Sequence, residues 1–142
     1  MFSKLIQTSN DWTLTILRLA AGIMIFPHGL QKTFGWFGGM GFEGNAALFD
    51  RIGFTPGIFW GTLVGCTELI GGILLVLGLL TRFAAAAVLI FMIVAVKFTS
   101  AKGFFWSQGG WEYPLLIGVC ALFFLMRGGG TCSLDRAIGR EL

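Results

Sequence analysis

Apolar residues run almost unbroken through four stretches, Trp12–Leu30, Gly57–Leu80, Phe83–Ala101 and Tyr113–Arg127, with most polar residues gathered between them. The first three are each close to the roughly 20 residues that a helix needs to cross a bilayer. The fourth is short for a span, so it must tilt little or borrow residues at its ends. The pattern predicts an all-α, integral membrane four-helix bundle formed by a single domain.

The connectors refine this picture. Residues 31–56 are rich in glycine and aromatics rather than in solvated polar residues. Within them Asn45 to Ile52 reads as a short interfacial helix, with Asn45 as its N-cap and Gly53 ending it before Pro56. Such a helix is expected to lie at, or dip into, the membrane surface. Thr81-Arg82 is a minimal link, which makes the second and third spans antiparallel neighbours. Gly103–Glu112 is a second aromatic loop. After Gly128 comes a glycine run, then Ser133 as the cap of a short polar helix in a cytoplasmic tail. No internal repeat is evident.

Composition fits a bilayer protein: 56% of the 142 residues are hydrophobic and 12% are charged, against about 25% charged in soluble domains. Mean hydropathy is +0.83. The first span reads as a retained helix rather than a removable signal, because Arg18 interrupts it and no small-residue cleavage site follows. By the positive-inside rule, Lys4, Arg82, Arg127, Arg136 and Arg140 outnumber Lys32, Arg51 and Lys102, even with Lys97 added to the latter. Both termini are therefore expected in the cytoplasm. A net charge of +3, dispersed along the chain, argues against nucleic-acid binding. Cys66, Cys120 and Cys132 lack metal-ligand or redox-motif spacing and read as packing residues or free thiols.

Candidate chemistry lies in the charges inside the spans. Glu68 sits near the middle of the second stretch, where a charge is disfavoured by about 2.5–3.5 kcal/mol. Glutamate is too short to snorkel from there, so Glu68 needs a partner, a proton or a polar cavity. At 1.5 Å per residue Arg18 lies about 18 Å from the outer end of its span and Glu68 about 16 Å from the same side. The two are expected at similar depth, able to pair. His28, Lys32, Lys97 and Glu112 fall at the outer ends of spans one, three and four and would form a polar mouth above that pair. Each also has a structural reading: Arg18 can snorkel, Glu68 can pin helices together, and terminal lysines commonly anchor spans. Gly61, Gly65, Glu68 and Gly72 share one helix face, which favours close helix contact.

In sequence order, Arg18, His28-Gly29-Leu30-Gln31-Lys32, Glu68-Leu69-Ile70-Gly71-Gly72, Gly78-Leu79-Leu80-Thr81-Arg82, Gly103-Phe104-Phe105, Glu112-Tyr113-Pro114-Leu115 and Ser133-Leu134-Asp135 resemble the DoxX family of small bacterial and archaeal membrane proteins. The resemblance covers nearly the whole chain. It implies a four-helix bundle in the plasma (inner) membrane, and a link to thiosulfate:quinone oxidoreduction or to oxidoreductase complexes that handle thiol and oxidative stress. A quinone reading suits the residues as well, since a quinone needs an apolar slot, donors to its carbonyl oxygens and a proton route. Arg18, His28, Lys32, Glu68, Lys97 and Glu112 are the candidate ligand-binding residues. No haem, flavin or metal motif is present, so a redox partner protein would have to supply the other centre. Two rivals stand beside this: a non-catalytic anchor or assembly subunit, and a small-molecule carrier. Self-association through the glycine faces is a further expectation.

Overall fold

The structure, a computed structural model, describes residues 8–139. Lys4 and Arg140, which count toward the expected orientation, lie outside the described residues. The elements are α1 (Trp12–Thr33), α2 (Gly41–Arg51), α3 (Gly57–Leu77), α4 (Thr81–Thr99), α5 (Glu112–Arg127) and α6 (Leu134–Gly139), joined by short 3-10 turns. There is no strand among the described residues. α1, α3 and the run Thr81–Lys102 are long and apolar enough to cross a membrane. α5 has 16 residues, about 24 Å of helix against a hydrocarbon core of about 30 Å. Its length alone does not establish a fourth crossing.

Small or branched side chains fill the interior and large ones face outward. Ala21, Ile25, Leu75, Ala84, Ala85, Val88, Ile117, Ala121 and Phe124 form the core, while Ile16, Ile23, Phe59, Ile70, Phe83, Ile90 and Leu116 are exposed around the bundle. So continuous an apolar exterior would be an aggregation surface in water and is an ordinary one in lipid.

Glycines set the register of α1 against α3. A Cβ on Gly22 would meet Val76, one on Gly72 would meet Phe26, one on Gly29 would meet Leu69, and one on Gly65 would meet Thr33. In each pair the residue numbers add up to the same value, as a straight antiparallel register requires. Glycines from the two helices thus alternate along one seam, which is the close contact expected of the Gly65–Gly72 face. At Gly29 the added Cβ would lie 2.4 Å from the backbone nitrogen of Leu69 and 2.5 Å from its Cα. Backbone cannot step aside as a flexible side chain can. Gly29→Ala is therefore expected to lower stability by about 1–3 kcal/mol through overpacking, read as a fall in the unfolding midpoint in detergent.

Three expectations are corrected here. The helix after the first span starts at Gly41, not Asn45. Asn45 is buried inside it and donates from Nδ2 to the Gly61 carbonyl at 2.8 Å, so it fastens α2 to α3 instead of capping. Gly57 and Gly61 both abut α2, and α2 thus lies along the first two turns of α3. The α3–α4 link is Gly78-Leu79-Leu80 rather than Thr81-Arg82, because Gly78 takes a left-handed conformation (φ 68°) and ends the helix. Leu80 is left-handed too, an unusual state for a branched residue. Asp135 holds it, accepting from the Leu80 and Thr81 backbone N–H groups at 2.7 and 2.8 Å.

Asp135 belongs to a tail that is packed rather than loose. Gly128, Gly129 and Gly130 are buried, and a Cβ at Gly130 would lie 2.6 Å from the Thr15 hydroxyl. Ser133 caps α6 as expected, its hydroxyl accepting from the Arg136 N–H at 3.3 Å. The tail closes one end of the bundle; the aromatic loops lie at the other.

Candidate functional site

His28 and Lys32 are one turn apart on α1 and share a face. On the glycine-set register the residue opposite Glu68 is Leu30. Helix side chains lean toward their own N-terminus, so in antiparallel helices Lys32 and Glu68 lean toward each other. The Lys32 ammonium lies 2.5 Å from both Glu68 carboxylate oxygens. The Glu68 side chain is 5% exposed and that of Lys32 26%. The ammonium also stands 5.2 Å from the centre of the Phe91 ring on α4, within the range of a cation–π contact.

α5 completes the cluster. The Tyr113 ring lies 5.2 Å from the His28 ring, tilted by 45°, and both residues are within electrostatic reach of Glu68. The Tyr113 hydroxyl is buried and has no hydrogen-bond partner among the described residues. Buried phenols are normally paired, which makes this oxygen a donor with an open position. All four long helices thus converge on one polar cluster inside apolar surroundings. Among the described residues no three of His, Cys, Asp and Glu are grouped to hold a metal. The arrangement is suited to hydrogen bonding and charge pairing.

The structure sorts the predicted site residues into two sets. His28, Lys32 and Glu68 come together. Arg18, Lys97 and Glu112 go elsewhere. Arg18 does not approach Glu68: twelve residues of register separate Leu30 from Arg18, about 18 Å along the helix. Instead its guanidinium donates to the carbonyls of Gly129 at 2.7 Å, Val76 at 2.8 Å, Cys132 at 2.6 Å and also Leu75. It binds the C-terminal end of α3, where carbonyls lack helical partners, to the tail. Lys97 is exposed near the end of α4. Glu112 accepts from the Trp106 backbone N–H at 2.8 Å, fastening the second aromatic loop. The equal-depth expectation fails because α1 continues to Thr33 and α3 begins well beyond α1's end, alongside α2. Phe91 and Tyr113 are additions. Tyr113 is the chain's single tyrosine, and a lone phenol beside the fourth span was the available signal.

Comparison with known proteins agrees with this architecture. The DoxX family model matches residues 13–101, a stretch that includes Arg18, His28, Lys32, Glu68 and Phe91. An uncharacterised membrane protein of Mycobacterium tuberculosis is 31% identical, over 97% of this chain and 88% of its own. An uncharacterised protein of Haemophilus influenzae is 34% identical, over 92% and 93%. A Bacillus subtilis protein named "Putative oxidoreductase CatD" is 34% identical, over 84% and 82%. No solved structure matches the chain significantly. With the family model covering most of the chain and relatives aligned over nearly all of it, this membrane protein belongs to the DoxX family.

Proposed function

We propose that this chain is the quinone-binding subunit of a membrane oxidoreductase system, a four-span bundle of a bacterial or archaeal plasma membrane with both termini in the cytoplasm. The observation that carries the reading is the Tyr113 hydroxyl, buried and without a hydrogen-bond partner among the described residues, in the same cluster as the half-buried Lys32 and its buried partner Glu68. The naming of the Bacillus subtilis relative points the same way. A quinone, when bound, supplies an acceptor for two electrons and two protons. Tyr113 offers the hydrogen bond to one carbonyl oxygen. His28 and Phe91 present aromatic surface, and Lys32 and Glu68 supply a charged pair within the apolar interior. Electrons come from a partner protein, since the chain carries no redox motif of its own.

The test is mass-spectrometric quantification of quinone in extracts of gently purified protein. Wild type is expected to carry close to one quinone per chain. Tyr113→Phe removes a hydroxyl that makes no internal bond, so the fold is kept and occupancy should drop about two- to tenfold, the worth of one hydrogen bond. Glu68→Gln should lower it further. If folded wild type holds no quinone above the lipid background, the cluster is a structural pin and the chain an anchor or assembly subunit.

A further inference from the structure

At the tail end of the bundle, α1 and α5 part to leave a groove of about 290 Å3, lined by Asp11, Thr13, Leu14, Leu17, Phe123 and Arg127. Its walls are apolar: Leu14 is buried at the base, and Leu17 and Phe123 are exposed at 39% and 52%. Its rim is charged. Asp11 immediately precedes the apolar helix α1 and Arg127 ends α5, so both stand where the apolar spans meet polar surroundings. An Arg127 guanidinium nitrogen lies 3.8 Å from Asp11 Oδ2, with the side chains 54% and 34% exposed. That exceeds the 2.7–2.9 Å of a direct charge-assisted bond. The other carboxylate oxygen is occupied, accepting from the Thr13 hydroxyl at 2.6 Å and from the Thr13 and Leu14 N–H groups at 2.9 and 3.4 Å. The Thr13 hydroxyl is the chief cause holding the Asp11 carboxyl below its usual range, against the opposing effect of burial. Oδ2 is therefore a fixed negative charge beside a fixed positive one.

We propose that this groove binds one phospholipid with an ethanolamine headgroup. Its phosphate meets the Arg127 guanidinium, its ammonium meets Asp11 Oδ2, and one acyl chain lies along Leu14, Leu17 and Phe123. Charge complementarity selects the headgroup. A choline headgroup has no N–H to donate to Asp11. A glycerol headgroup carries no cation, so its phosphate brings an uncompensated anion next to the carboxylate. The apolar walls require a ligand with a chain, not a soluble phosphate ester. None of this depends on the quinone reading.

Native mass spectrometry of the full chain tests it, after equilibration with equal amounts of phosphatidylethanolamine, phosphatidylcholine and phosphatidylglycerol bearing identical acyl chains. Wild type is expected to retain one phosphatidylethanolamine about threefold more often than either competitor, the scale of a single exposed charge contact. Asp11→Asn keeps a good helix N-cap and should shift the preference to phosphatidylglycerol. Arg127→Gln should lower retention of all three by a similar factor of about threefold. Glycerophosphoethanolamine in excess should not displace the lipid. Equal retention of the three lipids by wild type, or an ethanolamine preference that survives Asp11→Asn, would overturn the headgroup assignment. Displacement by the chainless ester would overturn the groove as its acyl seat.

Discussion

Lys32→Met is expected to destabilise the protein by about 3–5 kcal/mol, because it leaves Glu68 buried without its counter-charge. Glu68 is 4% exposed and lies on the seam between α1 and α3, so it cannot turn outward to lipid headgroups or water. A second substitution should repair most of the loss: Lys32→Met combined with Glu68→Leu replaces the pair by apolar groups, which is often neutral for buried ion pairs. Unfolding in mixed micelles, followed by circular dichroism for wild type, both single variants and the double, gives the coupling directly. A double variant that folds as well as wild type but carries no quinone would separate the pair's role in binding from its role in packing. Additive losses from the two single changes would mean that Lys32 and Glu68 do not act as a pair.

Arg18→Leu should be comparably damaging for a different reason. Arg18 is 1% exposed and its guanidinium satisfies carbonyls in two segments distant in sequence, at Leu75 and Val76 and at Gly129 and Cys132. Removing it strands buried acceptors and withdraws a cation from the negative end of the α3 dipole. A loss of about 3–5 kcal/mol is expected, with bonds of this charged type worth about 1.5–3 kcal/mol each. Arg18→Lys should recover only part, since a lysine ammonium has three donors and lacks the planar fork. The tail should loosen as well. Limited proteolysis would show cleavage between residues 128 and 135 in Arg18→Leu under conditions that leave wild type intact. Resistance equal to wild type would mean that the tail is held without Arg18.

The helices were legible because apolar runs and turn residues mark them, and the places where the reading slipped share a physical origin. Hydropathy follows side chains and does not register backbone conformation. It carried the second span to Leu80, whereas Gly78 ends α3 by adopting a left-handed conformation. It ended the first span at Leu30 because Gln31, Lys32 and Thr33 are polar, yet α1 continues through them and Lys32 turns inward to Glu68. That end, together with the start of α3 lying well beyond the end of α1, moved the register and gave Glu68 the wrong partner. The spacing of seven between Gly22 and Gly29 on one helix and between Gly65 and Gly72 on the other marks the two faces that meet, but the offset between them is set by the packed structure. Glu68 itself was found from its burial cost alone. The glycine run after Arg127 is visible in the sequence, but its reason is not: Thr15, Thr81 and Ser133 leave no room for a Cβ at Gly129 and Gly130.

The bonds of Arg18 to the tail also set an order of events in the making of this protein. Gly129 follows Arg18 by 111 residues, which at about 5–20 residues per second takes roughly 6–22 s to synthesise. Throughout that interval the first helix carries a buried-type cation whose tail acceptors do not yet exist. A chain that stops before residue 129 leaves Arg18 with the Leu75 and Val76 carbonyls but without those of Gly129 and Cys132. The buried arginine of the first helix thus gains its full set of acceptors only once the tail has been made.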